Sequence, residues 1–258
     1  METKKEKWLS NSLIFFIFVF LYFPIVVIIA YSFNKSKTSI VWTGFTLQWF
    51  KRLLEDENIL IAFRNSLEVA IIATVISTII GTLGALGLYR YKFKGKGMID
   101  GLLYIPIVIP EIIMGIALLA YFSSLNMSLG ISTIVLAHCT FCIPYILIVV
   151  KSRLAGFDIS LEEAAMDLGA NKAMVFKTIT LPLIYPGVIS GAMLAFALSL
   201  DDVILNFFVA GPESTTLPLK IFSMLKFGLT PEINALCTVM LVVTFLILII
   251  SQKFKAKN

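Results

Sequence analysis

Between Asp100 and Lys151 the only charged residue is Glu111, and between Lys177 and Glu213 the only ones are Asp201 and Asp202. A charge at the centre of a bilayer costs about 2.5–3.5 kcal/mol on insertion scales, so acids kept in such apolar surroundings need a compensating partner. No Lys or Arg shares those stretches. Three acids without an internal base therefore select a cation as the mobile partner. For Asp202 a second account stays open, a helix cap or a hydrogen bond between helices, and Asp201 and Glu111 likewise divide between pathway and structure.

A second constellation is His138-Cys139-Thr140-Phe141-Cys142, in which C-x-x-C spacing and an imidazole could hold a metal. Cys237, the third cysteine, lies far away in sequence and no second ligand pair exists. Buried small residues are the better account of the two thiols, and a bond to a neighbouring helix is the better account of the only histidine. No G-x-S-x-G and no G-x-x-x-x-G-K-[ST] occurs, so neither a serine hydrolase of that type nor a self-contained P-loop ATPase is supported.

The third is a short elbow. Ser160-Leu161-Glu162-Glu163 has the S-x-x-E spacing of a capping box and predicts a helix start. Leu161, Ala164, Ala165 and Leu168 then recur at i, i+3, i+4 and i+7 as one apolar stripe of barely two turns, which Gly169 can end in a left-handed conformation. Asn171 can cap a second helix with Val175, Phe176 and Ile179 on its inner face, expected to stop near Pro182. Two turns are not stable alone in water. The elbow either folds against its own helix ends or inserts into a partner protein, and pattern alone leaves both open.

The elements that must position these residues follow from composition. Of 258 residues, 59% are hydrophobic and 14% charged, against roughly 25% charged in a soluble domain. An ordinary soluble globule, a disordered chain, collagen and a disulfide scaffold are all excluded. A span needs roughly 20 helical residues. Uncharged stretches of 27 residues after Lys7, 21 after Glu68, 39 from Ile112 to Val150, 23 from Thr178 and 20 from Ile233 meet that length. The stretch of 39 would run about 58 Å and must fold back, at Ser123, Ser124, Asn126, Ser128 and Gly130. The expectation is an all-α membrane protein of one domain, residues 1–258. Its six transmembrane helices fall near 12–33, 66–89, 98–122, 131–150, 183–210 and 232–252, with a cytoplasmic loop at 151–182.

Basic residues orient this bundle. Lys4, Lys5, Lys7, Arg90, Lys92, Lys94, Lys96, Lys151, Arg153, Lys172, Lys177, Lys253, Lys255 and Lys257 fall on one face, 14 of 21. N and C termini are thus expected to be cytoplasmic, and the net charge of +5 reports topology in place of a nucleic-acid surface. The first span is longer than a signal-peptide h-region despite the Ala30-Tyr31-Ser32 triplet, and is expected to stay as an anchor. Phe45, Trp49, Phe50 and Leu53 have helical spacing and are expected to lie along the membrane surface, with Trp42 nearby.

Glu163-Ala164-Ala165, three residues, Gly169, nine residues, Ile179, one residue and Leu181-Pro182 resemble the cytoplasmic EAA loop of bacterial ABC importer permeases at every signature position. The resemblance implies a type I ABC importer permease fold, an inner-membrane location and a role for Glu163, Ala164, Ala165, Gly169, Ile179, Leu181 and Pro182 in coupling to an ATPase. It implies as partners a cytoplasmic ABC ATPase dimer, a second homologous permease subunit and an extracytoplasmic binding protein, with ATP and Mg held by the ATPase and no cofactor or metal in this chain. Over most of its length the chain looks closest to spermidine/putrescine permease subunits of the C type, through LPLIYPGVISGAMLAFALSLDDVILNFFVAGP, LPLKIFSMLKFGLTPEINAL and IPIVIPEIIMGIALL.

A polyamine suits the acids, because its ammonium groups pair with separated carboxylates while its methylenes need an apolar or aromatic lining. Tyr104, Phe196, Phe207 and Phe208 are candidates for that lining, or for packing. Asp201 is about 19 residues past Pro182, roughly 28 Å along a helix, and Glu111 about 13 past Met98, roughly 20 Å. Pro106 and Pro110 are expected to kink span three. The implied mechanism is alternating access driven by nucleotide binding in the partner. A permease for another cationic solute is the near alternative; an ion-coupled secondary transporter could use the same acids but has no need of the elbow.

Overall fold

The computed structural model describes residues 4–36, 41–156, 158–226 and 228–255, and Lys257 of the orienting basic residues lies outside them. Among the described residues every regular element is helical: α1 Lys4–Ser32, α2 Gln48–Glu55, α3 Glu57–Arg90, α4 Lys96–Leu102, α5 Ile105–Val108, α6 Glu111–Ser124, α7 Ile131–Leu154, α8 Ser160–Asp167, α9 Lys172–Val175, α10 Leu181–Asp201, α11 Ile204–Val209, α12 Leu217–Leu225 and α13 Pro231–Lys255. Among the described residues, Ser10–Ser32, Glu57–Arg90, Ile131–Leu154 and Lys172–Asp201 are long and apolar enough to cross a bilayer. The pair Lys96–Val108 and Glu111–Ser124 qualifies together, bent by 106°.

Contacts divide the chain into two compact units, Met1–Leu60 with Ile221–Leu246, and Ile61–Lys220 with Ile247–Asn258. In the first, Asn34 organises the turn after α1. Its amide donates to the Val41 carbonyl at 2.8 Å and its Oδ1 accepts the Thr43 N–H at 3.0 Å, while Trp49 Nε1 of α2 donates to the Asn34 carbonyl at 2.7 Å. Phe45, expected on the surface helix, instead makes a β-bridge with Asn34 and stacks on Phe33. α2 starts after it, with Trp49 and Leu53 buried against protein.

The second unit is built on α7, whose Ile134, Ala137, Cys142, Ile146, Val150 and Leu154 are fully or almost fully buried. α7 packs chiefly along α10. A Cβ placed on Gly191 of α10 would stand 3.3 Å from the Ile146 Cα, so the glycine is what lets the two backbones approach this closely, as small residues do between membrane helices.

Two expected spans are broken helices. Span three is bent more sharply than a proline kink in one helix, because Ile109 is extended (φ −67°, ψ 133°) as a residue before proline prefers, and Pro110 then caps a new helix in a new direction. The roughly 20 Å rise from Met98 to Glu111 assumed a straight helix and does not hold. Span five is interrupted too: α10 ends at Asp201, Asp202 is extended (φ −69°, ψ 127°), and α11 restarts at Ile204. The second elbow helix, expected to stop near Pro182, runs on. Phe176–Thr180 forms a π turn closed by Leu181 N–H to Phe176 O, and α10 accepts Pro182 in its first turn, where no intrahelical donor is needed.

The backbone between α11 and α12 is irregular, and side chains satisfy it. Thr133 Oγ1 donates to the Val209 carbonyl at 2.8 Å, Asn65 Nδ2 to the carbonyls of Glu213 and Thr215, and Ser66 Oγ accepts the Leu217 N–H at 2.7 Å. A Cβ on Gly211 would meet the Leu129 carbonyl oxygen at 2.1 Å, a contact with backbone that cannot swing away, whereas one on Gly97 meets nothing within 4 Å. Gly211→Ala is expected to destabilise the protein by about 1–3 kcal/mol and Gly97→Ala to leave it unchanged, measured as thermal midpoints in detergent.

Candidate functional site

Asp201 and Asp202 stand at the break in span five, and α11, which follows the break, packs against α6, whose first turn carries Glu111. Their surroundings differ. Asp201, the last residue of α10, and Glu111, in the first turn of α6, are exposed, whereas Asp202 is buried. α6 and α11 pack together, and Phe208 lies so close over Gly115 that a Cβ there would be 2.5 Å from its ring.

Asp202 caps α11. Its Oδ1 accepts the Leu205 N–H at 3.4 Å and its Oδ2 the Asn206 N–H at 3.1 Å, so the carboxylate takes the orphan donors at the start of α11. Asn206 Nδ2 returns a bond to the Asp202 carbonyl at 2.6 Å. That bond turns the Asn206 Oδ1 toward His138 Nε2, 3.1 Å away, and Asp202 Oδ2 stands 3.2 Å from the same nitrogen. Two acceptors facing Nε2 assign the proton to it, and Nδ1 then accepts the Ser199 hydroxyl at 2.6 Å. His138, Ser199, Asp202 and Asn206 are all buried and mutually satisfied. Sequence spacing offered no route to Ser199 or Asn206, apart from the position of Asn206 one turn after a capping acid.

Cys139 and Cys142 are buried free thiols whose sulfurs face the carbonyls of Ala73 and Ala195, and no group of three metal-ligating side chains occurs among the described residues. Of the aromatic candidates, Tyr104 and Phe207 are about half exposed, Phe196 is partly buried, and Phe208 packs edge-on against Phe207 with centroids 5.3 Å apart.

The elbow forms a separate, exposed surface. No residue of α8 is buried; Leu161 is 48% and Leu168 90% exposed, and Glu163, Ala164 and Gly169 are open to solvent. The capping box is corrected. Ile159 occupies the N-cap, Ser160 lies inside the first turn, and the Glu163 N–H already bonds the Ile159 carbonyl at 3.2 Å, so it has no use for the hydroxyl. Asp158 takes the Ser160 N–H at 3.0 Å instead, and this bond holds its carboxyl below the usual carboxylate range. Gly169 closes the helix at φ +90°, with the Ala170 N–H reaching back to the Ala165 carbonyl. Asn171 Oδ1 accepts the Met174 N–H at 2.9 Å and starts α9, and Val175 turns inward with Ile179 half-buried. Leu181 is half-buried and Pro182 exposed at the head of α10.

His138→Ala would strip one donor from Asp202 and leave the Ser199 hydroxyl and Asn206 carbonyl oxygen bare, an expected loss of about 1–3 kcal/mol. Asp202→Asn keeps an oxygen for the α11 donors, and is expected to lose less than about 1 kcal/mol where Asp202→Ala loses about 1–2. Thermal unfolding of the purified variants in detergent reads both orders.

Residues 73–256 match the family model of the binding-protein-dependent transport system inner membrane component. The chain is 42% identical to the spermidine/putrescine transport system permease protein PotC of Haemophilus influenzae, across 97% of this chain and 98% of that one. It is 45% identical to the putrescine transport system permease protein PotI of Escherichia coli, across 87% and 82%. In fold it resembles a chain of a bacterial ABC transporter involved in import of the acidic polysaccharide alginate, at a TM-score of 0.78 and 17% identity over 98% and 96% of the two chains. With the model covering well over half of its length, the chain belongs to the family of binding-protein-dependent transport system inner membrane components.

Proposed function

We propose that this chain is the inner-membrane permease subunit of an ATP-driven spermidine/putrescine importer. The observation that carries the proposal is its identity of more than two fifths, over nearly full length, with polyamine permeases. Two features of the site agree with it. Glu111, Asp201 and Asp202 share their stretches with no Lys or Arg, which suits an ammonium cargo. At the other end of α10 an eight-residue helix presents Leu161 and Leu168 to solvent and buries none of its own residues, a surface in need of a protein partner.

In this reading the chain spans the membrane six times with both termini cytoplasmic. It pairs with a second, homologous permease subunit and rests on a cytoplasmic ABC ATPase dimer that binds ATP and Mg. Glu163, Ala164, Ala165, Gly169, Ile179, Leu181 and Pro182 form the coupling elbow. An extracytoplasmic binding protein delivers the polyamine. Asp201 and Glu111, exposed, are the carboxylates that meet its ammonium groups, and Asp202 holds the helix break that presents them. Closure of the ATPase moves the elbow, α10 carries the motion inward, and the site opens to the delivering side; hydrolysis resets it.

The complex reconstituted with its co-purifying subunits is expected to show ATPase stimulation by a binding protein loaded with spermidine or putrescine and little with the empty one; equal stimulation by all three defeats the substrate assignment. Asp201→Asn removes a charge-assisted pair and is expected to lower uptake about tenfold with assembly intact, while wild-type uptake by that variant takes Asp201 out of the pathway.

A further inference from the structure

Arg90 is the last residue of α3, Glu162 lies in the first turn of α8, and Thr180 ends the π turn that leads into α10. Their side chains meet at one point. Arg90 Nη2 donates to Glu162 Oε1 at 2.5 Å and to Thr180 Oγ1 at 3.0 Å, and the Thr180 hydroxyl donates to the same Glu162 oxygen. Thr180 is 1% exposed, and the carboxylate is largely shielded, with its side chain 14% exposed. Arg90 remains about one-third exposed, but the shared Thr180 hydroxyl closes the pair into a triangle, and Arg90 and Glu162 line a cleft of about 220 Å³ together with Tyr91, Met166, Lys172 and Val175.

α8 buries no side chain, so apolar packing does not hold it in place. A helix of eight residues has no stability of its own. Besides its touch on α9 and the π turn, it is tied to the rest of its unit by this triangle. The π turn adds a reason for the third partner. Widened turns of this type tend to mark functional positions in helices, and Thr180 is where the turn hands over to α10.

We infer that Arg90 and Glu162 are positioning residues that tie the coupling elbow to two membrane helices at once, so that a displacement of α8 moves α3 and α10 together. This inference rests on the importer reading. Loss of the triangle leaves ATPase docking, which uses the exposed side of α8, and removes the transmission.

The test uses the full reconstituted complex and reads ATP hydrolysis and polyamine uptake on the same vesicles. Arg90→Gln and Glu162→Gln are each expected to keep the amount of assembled complex and to keep hydrolysis within about twofold while uptake falls about tenfold, a loss inside the usual 5–150-fold range of coupling between sites. The exchange Arg90→Glu with Glu162→Arg is expected to recover a large part of the uptake, and the mild Thr180→Val to fall between wild type and the single variants. Wild-type uptake per ATP in both single variants overturns the inference, as does a parallel fall of hydrolysis, uptake and assembled complex that the exchange does not repair. A wild-type complex without ATP-dependent uptake overturns the importer reading itself, and this inference with it.

Discussion

In hydrocarbon a backbone N–H or C=O without a partner costs several kcal/mol, and everything irregular in this protein is arranged around that constraint. The chain interrupts its helices at Ile109-Pro110, at Asp202-Val203 and again between Val209 and Leu217. At the last two, polar side chains take over what the helix would have supplied. Asp202 accepts the donors of α11, Thr133 covers the Val209 carbonyl, Asn65 covers two carbonyls beyond it, and Ser66 accepts the donor at the start of α12. Proline makes the first break different: Pro110 has no N–H to satisfy.

The same constraint explains why carboxylates of one sequence neighbourhood serve different ends. A buried acid is tolerable once several donors converge on it, and Asp202 has two backbone N–H groups and an imidazole. Its neighbour, one residue earlier and the last of α10, keeps its side chain for the exterior of the chain. The lone histidine is drawn into the same arrangement, between the Ser199 hydroxyl and the oxygens of Asn206 and Asp202.

Much of the elbow was legible in one dimension, because its punctuation is local. Gly169 and Asn171 end and restart helices through bonds to residues three to five positions away, and spacing predicts such bonds. The capping box misled for a related reason: Ser160 has the right type and spacing, but Asp158 two residues earlier takes the Ser160 N–H and the Ile159 carbonyl takes that of Glu163. The breaks were harder. Asp201-Asp202-Val203 contains neither glycine nor proline, so a continuous helix was the natural reading, and one of the donors that make the break tolerable comes from His138, more than sixty residues away. Pro110 announced a kink but not its size, which depends on what α6 packs against. Arg90 was read by a local rule as a topology charge and Glu162 only as a spacer inside S-x-x-E, and only their meeting across the fold assigns them to each other.

α10 joins the elbow to Asp201 without interruption, 21 residues or about 31 Å of helix. Along such a rod the direction of a side chain is fixed by residue count, at about 100° per residue, so the bearing of Asp201 is set by its number of positions from Thr180. The π turn at Phe176–Thr180 fits an extra residue into the helical path and so offsets the phase of everything that follows relative to α9. Which way the acid points is thereby written, in part, at the opposite end of the helix: tightening that single turn to α-helical winding would rotate the two ends against each other, turning a local change in winding beside the elbow into a change of azimuth at the site.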